Sequence, residues 1–119
     1  MKSNQELANT LHALASSGEF ETIKKTYFAT DCKSLEPAHA TLFKSEQGLD
    51  AIVNKGTIFN SMVEVLHGLT VGEPAVYGSS IFMPITFDVT LKGVPRMEFR
   101  EMVRYDVSEG KVVCEEFYY

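Results

Sequence analysis

Apolar residues recur at helical spacing in the first half of the chain and alternate with polar ones in the second. Leu7, Leu11 and Leu14 share one side of a helix. Ser3 followed by Glu6 forms a capping-box signature ahead of them, and Gly18 stands where that helix would end. A second short helix carries Phe20, Ile23 and Tyr27 on one side. An extended segment is expected from Asp31 to Pro37, because a proline disfavours helix in the residue before it. His39 to Glu46 reads as loop. From about Gly48 to Met62 the residues Leu49, Ile52, Val53 and Phe59 fit one helical face, with Gly56 either weakening the helix or allowing close packing.

The period then changes to two. Val63, Val65, His67, Leu69 and Val71 form one stripe, and Ile81, Met83, Ile85, Phe87, Val89 and Leu91 a second. Met97, Phe99, Glu101, Val103 and Tyr105 form a third. Val112 to Tyr119 makes a last strand after a turn at Glu109-Gly110, and Lys92 to Pro95 suits a hairpin loop. Alternation of this kind marks antiparallel strands with one covered face. Helices first and a meander afterwards define an α+β fold. Three short helices cover four long strands only if the sheet curves around them, and such a sheet leaves a cavity at its mouth.

Composition narrows the function. The 119 residues suit one domain, 1–119, with a core that needs neither metal nor disulfide. Sixteen acidic against eleven basic residues give a formal charge of −5, which disfavours nucleic acid as a partner. No apolar run is long enough to cross a bilayer, and none follows Met-Lys-Ser-Asn-Gln-Glu as a signal peptide would. A cytoplasmic location and no membrane partner are therefore expected. Cys32 and Cys114 lack metal-ligand spacing and read as reduced thiols, a disulfide being the lesser alternative. His12, His39 and His67 have no zinc spacing, and no phosphate-cradling or dinucleotide-binding glycine pattern is present, so neither a metal nor a cofactor is expected.

Glu101 carries the chemistry. It lies on an apolar stripe between Phe99 and Val103, whereas Glu98, Arg100, Arg104 and Asp106 fall on the other face. An unpaired carboxylate facing a core costs several kcal/mol and usually stays neutral. Glu101 is thus either paired to a buried donor or lines a pocket. Glu36, before Pro37, would alone be an ordinary strand-end carboxylate. His67 shares a stripe with Val65 and Leu69, as a satisfied core histidine or as a proton carrier facing Glu101. Glu115 and Glu116 sit on opposite faces of the last strand in nearly balanced stripes, and Glu115 is the one expected inside, with Phe117 and Tyr119.

Four places in the chain carry a resemblance. They are the helix break at Gly18-Glu19-Phe20, the segment Ser34-Leu35-Glu36-Pro37, the strand at His67-Gly68, and the tail from Arg100-Glu101-Met102-Val103-Arg104-Tyr105 to Phe117-Tyr118-Tyr119. In order and spacing the chain resembles the nuclear-transport-factor-2-like superfamily, especially its SnoaL-like proteins. The resemblance implies a cystatin-like cone, a curved and partly mixed sheet around three helices with a pocket inside. In the ketosteroid isomerases of that superfamily a carboxylate before a proline is the general base, and a carboxylic acid on the penultimate strand donates to the oxyanion. Glu36 and Glu101 fall at those places. The isomerase tyrosine of the first helix is replaced by Leu11 or His12, and glutamates stand for aspartates, departures that weaken the case for steroid isomerisation itself.

Two functions follow as expectations. One is an isomerase, cyclase or dehydratase acting on a small apolar carbonyl compound, with Glu36 as base, Glu101 as neutral acid and His67 as helper. His12, Phe59, Phe87, Phe99, Glu115 and Tyr119 are expected to touch the ligand. The other is a non-catalytic binding or dimerisation module of the same fold. The exposed stripe holding Phe82, Pro84 and Met102 suggests a homodimer through the outer sheet face.

Overall fold

The structure, a computed structural model, describes residues 2–119; Met1 of the expected domain lies outside the described residues. Helix α1 spans Asn4–Ser16 and opens on the capping box: Ser3 Oγ accepts from the Glu6 amide, and Glu6 accepts from the Ser3 amide in return. Its buried side is Leu7, Ala8, Leu11 and Ala15. Helix α2 spans Phe20–Tyr27 and helix α3 Leu49–Met62. The strands are β1 (Phe28–Leu35), β2 (Glu46–Gln47), β3 (Val63–Val71), β4 (Ala75–Tyr77), β5 (Ser80–Leu91), β6 (Met97–Ser108) and β7 (Lys111–Tyr118).

They form one sheet in the order β2-β1-β7-β6-β5-β3, with β4 also pairing to β5. Every pairing is antiparallel except β1 with β7, so the sheet is mixed. The fold is α+β, three helices and a curved open sheet. Its core lies between the helices and the inner sheet face, where Ile81, Met83, Ile85, Val103 and Tyr105 are buried with Leu11, Ile23 and Ile52. The turn joining β6 to β7 has Glu109 and Gly110 both at positive φ, 51° and 76°, the twist a tight hairpin needs.

Three features depart from the sequence reading. Strand β1 starts at Phe28, directly after α2, rather than at Asp31. Strands β2 and β4 are not expected from the sequence, β2 taking in Glu46 at the end of the segment read as loop; at two and three residues they are too short to show a period. Strand β3 does not keep its alternation. Its pairing with β5 shifts between Val63 and Val65 and again between Leu66 and Gly68. Each extra residue in a bulge turns the following side chains to the other face. Leu69 and Val71 therefore pack on the core, whereas Val65 and Leu66 are 45% and 51% exposed.

Candidate functional site

The inner faces of β1 and β7 are brought side by side by their parallel pairing, which sets Ser34 beside Glu115 and Leu35 beside Glu116. A single-residue alternation then puts Ser34 and Glu36 on the inner side, with Glu115 opposite Tyr105 and Phe117 opposite Val103 across β7 and β6. Helix α3 passes over them and delivers Lys55. The result is a continuous polar chain. Tyr119 donates to Glu36 Oε1 at 2.5 Å, and Lys55 Nζ donates to Glu36 Oε2 at 2.8 Å. The same ammonium donates to Ser34 Oγ at 2.7 Å, and Ser34 donates to Glu115 Oε2 at 2.7 Å. A longer contact of 3.4 Å to the Lys44 carbonyl takes the third ammonium hydrogen. The Glu36 and Lys55 side chains are only 7% and 12% exposed, so this ion pair is shielded from water.

Beside the chain lies a cavity of about 450 Å³. That volume falls within the range that small-molecule pockets occupy. Its walls combine aromatic rings with the polar chain: Phe59 and Phe87 meet edge to face at 5.6 Å, and Phe99 and Tyr119 at 5.0 Å. Glu101 stands between Phe99 and Val103 on β6, opposite Ile85 of β5, and reaches the same cavity. Burial, and then the nearby Glu115 and Glu36 carboxylates, push its pKa up to about 8, so the carboxyl is mostly protonated at neutral pH. Burial also raises Glu115, against the opposing influence of Lys24, Ser34 and Lys55. Tyr119 is held as the phenol by burial and by its hydrogen bond to Glu36.

Of the residues singled out in the sequence, Glu36, Glu101, Phe59, Phe87, Phe99, Glu115 and Tyr119 all line this one cavity. Two histidines do not. His67 falls in the second bulge of β3 and is exposed on the outer face, where Nε2 lies 2.8 Å from Thr90 Oγ1. It is therefore no partner for Glu101. His12 is half-buried on α1, with Nε2 3.2 Å from the Val71 carbonyl, and is not part of the cavity wall. Its position on the sheet side of α1 fixes it to β3 instead. Two lysines of the site escaped the sequence reading. Lys24 completes the pattern Phe20, Ile23, Tyr27 on α2, and Lys55 falls near Ile52 and Phe59 on α3. A cation within an apolar helical stripe is the signal that could have found them. Among the described residues no group of three or more His, Cys, Asp or Glu is arranged to hold a metal ion.

A helix-covered curved sheet with an acid-bearing apolar cavity defines the architecture, and the family follows: residues 2–119 match the SnoaL-like domain, and the chain belongs to that family. It is similar over 99% of its length to all of a Mesorhizobium loti protein described as a SnoaL-like polyketide cyclase, at 28% identity and a TM-score of 0.92. A Catenulispora acidiphila protein with a ketosteroid isomerase-like fold, solved with trimethylamine, is 16% identical with a TM-score of 0.73, over 96% of this chain and 85% of that one. A Xanthomonas campestris protein of unknown function with a cystatin-like fold is 15% identical with a TM-score of 0.73, over 98% of this chain and 90% of that one. The last two likenesses show the fold alone. No significant match was found among curated proteins. No helix among the described residues is long and apolar enough to cross a membrane.

Proposed function

We propose that the protein binds a small apolar carbonyl compound in the cavity and moves a proton on it, as an isomerase, cyclase or dehydratase would. The carrying observation is Glu101, a carboxyl kept in its neutral form among aromatic rings. A neutral acid can donate a hydrogen bond to a carbonyl oxygen and hold it as charge develops there. Tyr105 lies four residues further along the same inner face, is buried, and lines the same cavity. Its hydroxyl has no hydrogen-bond partner among the described residues, which supports a second donor role. Glu36 is the base in this scheme, and its place in the lining of the same cavity as Glu101 supports that assignment.

One observation favours a second reading, a binding module without turnover. Both Glu36 oxygens already accept hydrogen bonds, one from the Lys55 ammonium and one from Tyr119, so the carboxylate is occupied by the protein's own donors rather than aimed at a ligand. Pairing of two copies through the outer sheet face belongs to this reading. That face is less open than its sequence suggests, because Tyr77 meets Phe82 edge to face at 6.2 Å and Gly72 packs closely against Pro84. Met102 and Tyr118 remain exposed on it, as does most of the Tyr77 ring itself.

The two readings separate in a screen of small cyclic ketones and polyketide fragments. Binding is read by thermal shift, and proton abstraction by exchange of the α-hydrogens in heavy water followed by NMR. The enzyme reading expects exchange accelerated by the wild type and lost in Glu36→Gln. A ketone that raises the melting temperature without any accelerated exchange would establish the binding module instead.

A further inference from the structure

Every charged group on the cavity wall is engaged or neutral except one. Lys55 is paired with Glu36, Glu115 accepts from Ser34, and Glu101 holds its proton. Lys24 has no hydrogen bond or ion pair among the described residues, although its neighbour Lys25 is paired with Glu21. Its stem is largely buried, and the amine crosses from α2 to α3 over Gly56. A Cβ at position 56 would stand 2.5 Å from Nζ, so the absence of a side chain there is what lets the amine lie in this place. Gly56 in mid-helix, costly for helix stability by about 1 kcal/mol, thereby acquires a physical reason.

We propose that Lys24 is a nucleophile of this cavity that forms an imine with the carbonyl carbon of the bound ligand. This rests on the carbonyl-binding reading above and adds a covalent step to it. Three observations meet in it: an unpaired amine, an apolar cavity that the amine lines, and a glycine that makes room for it. Burial lowers the Lys24 pKa, against the opposing pull of Glu115, and so raises the share of free amine. Lysine amines desolvated in apolar pockets are activated in this way for imine chemistry.

The step balances without an oxidant or reductant. The Nζ lone pair bonds to the carbonyl carbon while the C–O π pair moves to oxygen. That oxygen takes a proton and the nitrogen loses one, giving a carbinolamine. A further proton, for which the Glu101 carboxyl is the acid on the same wall, lets the hydroxyl leave as water. The nitrogen pair then forms the C=N bond as a protonated imine, which returns its N–H proton to the Glu101 carboxylate to give the neutral imine. One amine and one carbonyl compound become one imine and one water. In its protonated form the imine draws electrons from the adjacent carbon, which makes the α-hydrogen easier for a carboxylate to remove.

Benzaldehyde with sodium cyanoborohydride at pH 7 tests it, since hydride addition to the imine leaves a stable benzyl adduct. Intact mass and peptide mapping locate the label, and benzyl alcohol, which cannot form an imine, reports binding by thermal shift. Lys24 is expected to be labelled ahead of Lys25, because its amine lines the cavity and burial raises its share of free base, whereas Lys25 is exposed and paired with Glu21. In Lys24→Arg the fast adduct disappears while the thermal shift with benzyl alcohol persists, which shows that the pocket is intact. A thermal shift in the wild type with label on surface lysines alone overturns the lysine and leaves the cavity reading standing. Neither shift nor Lys24 label overturns both.

Discussion

Tyr119 closes the cavity onto Glu36: its hydroxyl donates to one carboxylate oxygen at 2.5 Å while Lys55 holds the other. The residue after β7 is thereby tied to the residue after β1, and the parallel pairing of these two strands continues through side chains beyond the backbone ladder. Tyr119→Phe keeps the ring that meets Phe99 and removes only this bond. A hydrogen bond to a charged group contributes about 1.5–3 kcal/mol. Tyr119→Phe should lower stability by about that amount, read as a shift of the urea midpoint without a change of slope. An unchanged midpoint would show that water replaces the phenol.

Lys55 is the hub of the polar chain, since it touches Glu36 and Ser34 and, through Ser34, reaches Glu115. Lys55→Met strands a shielded carboxylate, and breaking a buried pair from one side costs about 3–5 kcal/mol. Adding Glu36→Gln removes the stranded charge. The double variant should therefore be more stable than Lys55→Met alone, a non-additivity that a double-mutant cycle measures. Strict additivity would mean that the pair is not coupled.

Glu101 makes stability depend on pH in a definite direction. Its folded pKa of about 8 lies above the ordinary 4.5, so between these values the folded state binds more protons than the unfolded one. Stability contributed by the neutral form is complete below the ordinary value and is lost as pH rises through about 8. Glu101→Gln, neutral at every pH, should flatten the stability profile over this window and gain stability at its alkaline end. The gain is of the order of a few kcal/mol. Glu36, Glu115, Lys24 and Lys55 act on the same carboxyl and remain in the variant as the background. Chemical denaturation at pH 5 and pH 9 gives the comparison, and parallel profiles for the two proteins would remove Glu101 from the neutral-acid role.

His67 serves as the outside reference. Its ring meets Thr90 on the outer face, away from the cavity. His67→Ala should leave ligand thermal shifts and any α-hydrogen exchange unchanged, and should alter stability by less than about 1 kcal/mol. Loss of exchange in this variant would reopen its assignment as a helper.

The elements most visible in the sequence were those with an uninterrupted period. Leu7 and Leu11 on α1 and the stripes of β5 and β6 pack as their spacing implies, and Glu101 stood out because it broke such a stripe. His67 misled for a related reason. Alternation is a statement about faces only while the register holds, and a bulge leaves no mark in the spacing of Val63, Val65 and Leu69. The last strand shows the same effect, for a register shift beside Val107 lets Val112 and Glu115 both face inward although they are three residues apart. Lys24 and Lys55 were overlooked because long cationic stems on helices are usually solvated. Their pairing, and the lack of it, depends on β1, β7 and α3 meeting, which no local pattern encodes.

The doubled irregularity of β3 also bears on how the molecule behaves among its own copies. β3 is the last strand on its side of the sheet and carries Val65 and Leu66 open to solvent, a sequence that in a flat strand would invite edge-to-edge growth. Two register shifts within nine residues interrupt the row of amides and carbonyls that an incoming strand would need. The kinks that removed His67 from the cavity thus act as a guard against aggregation.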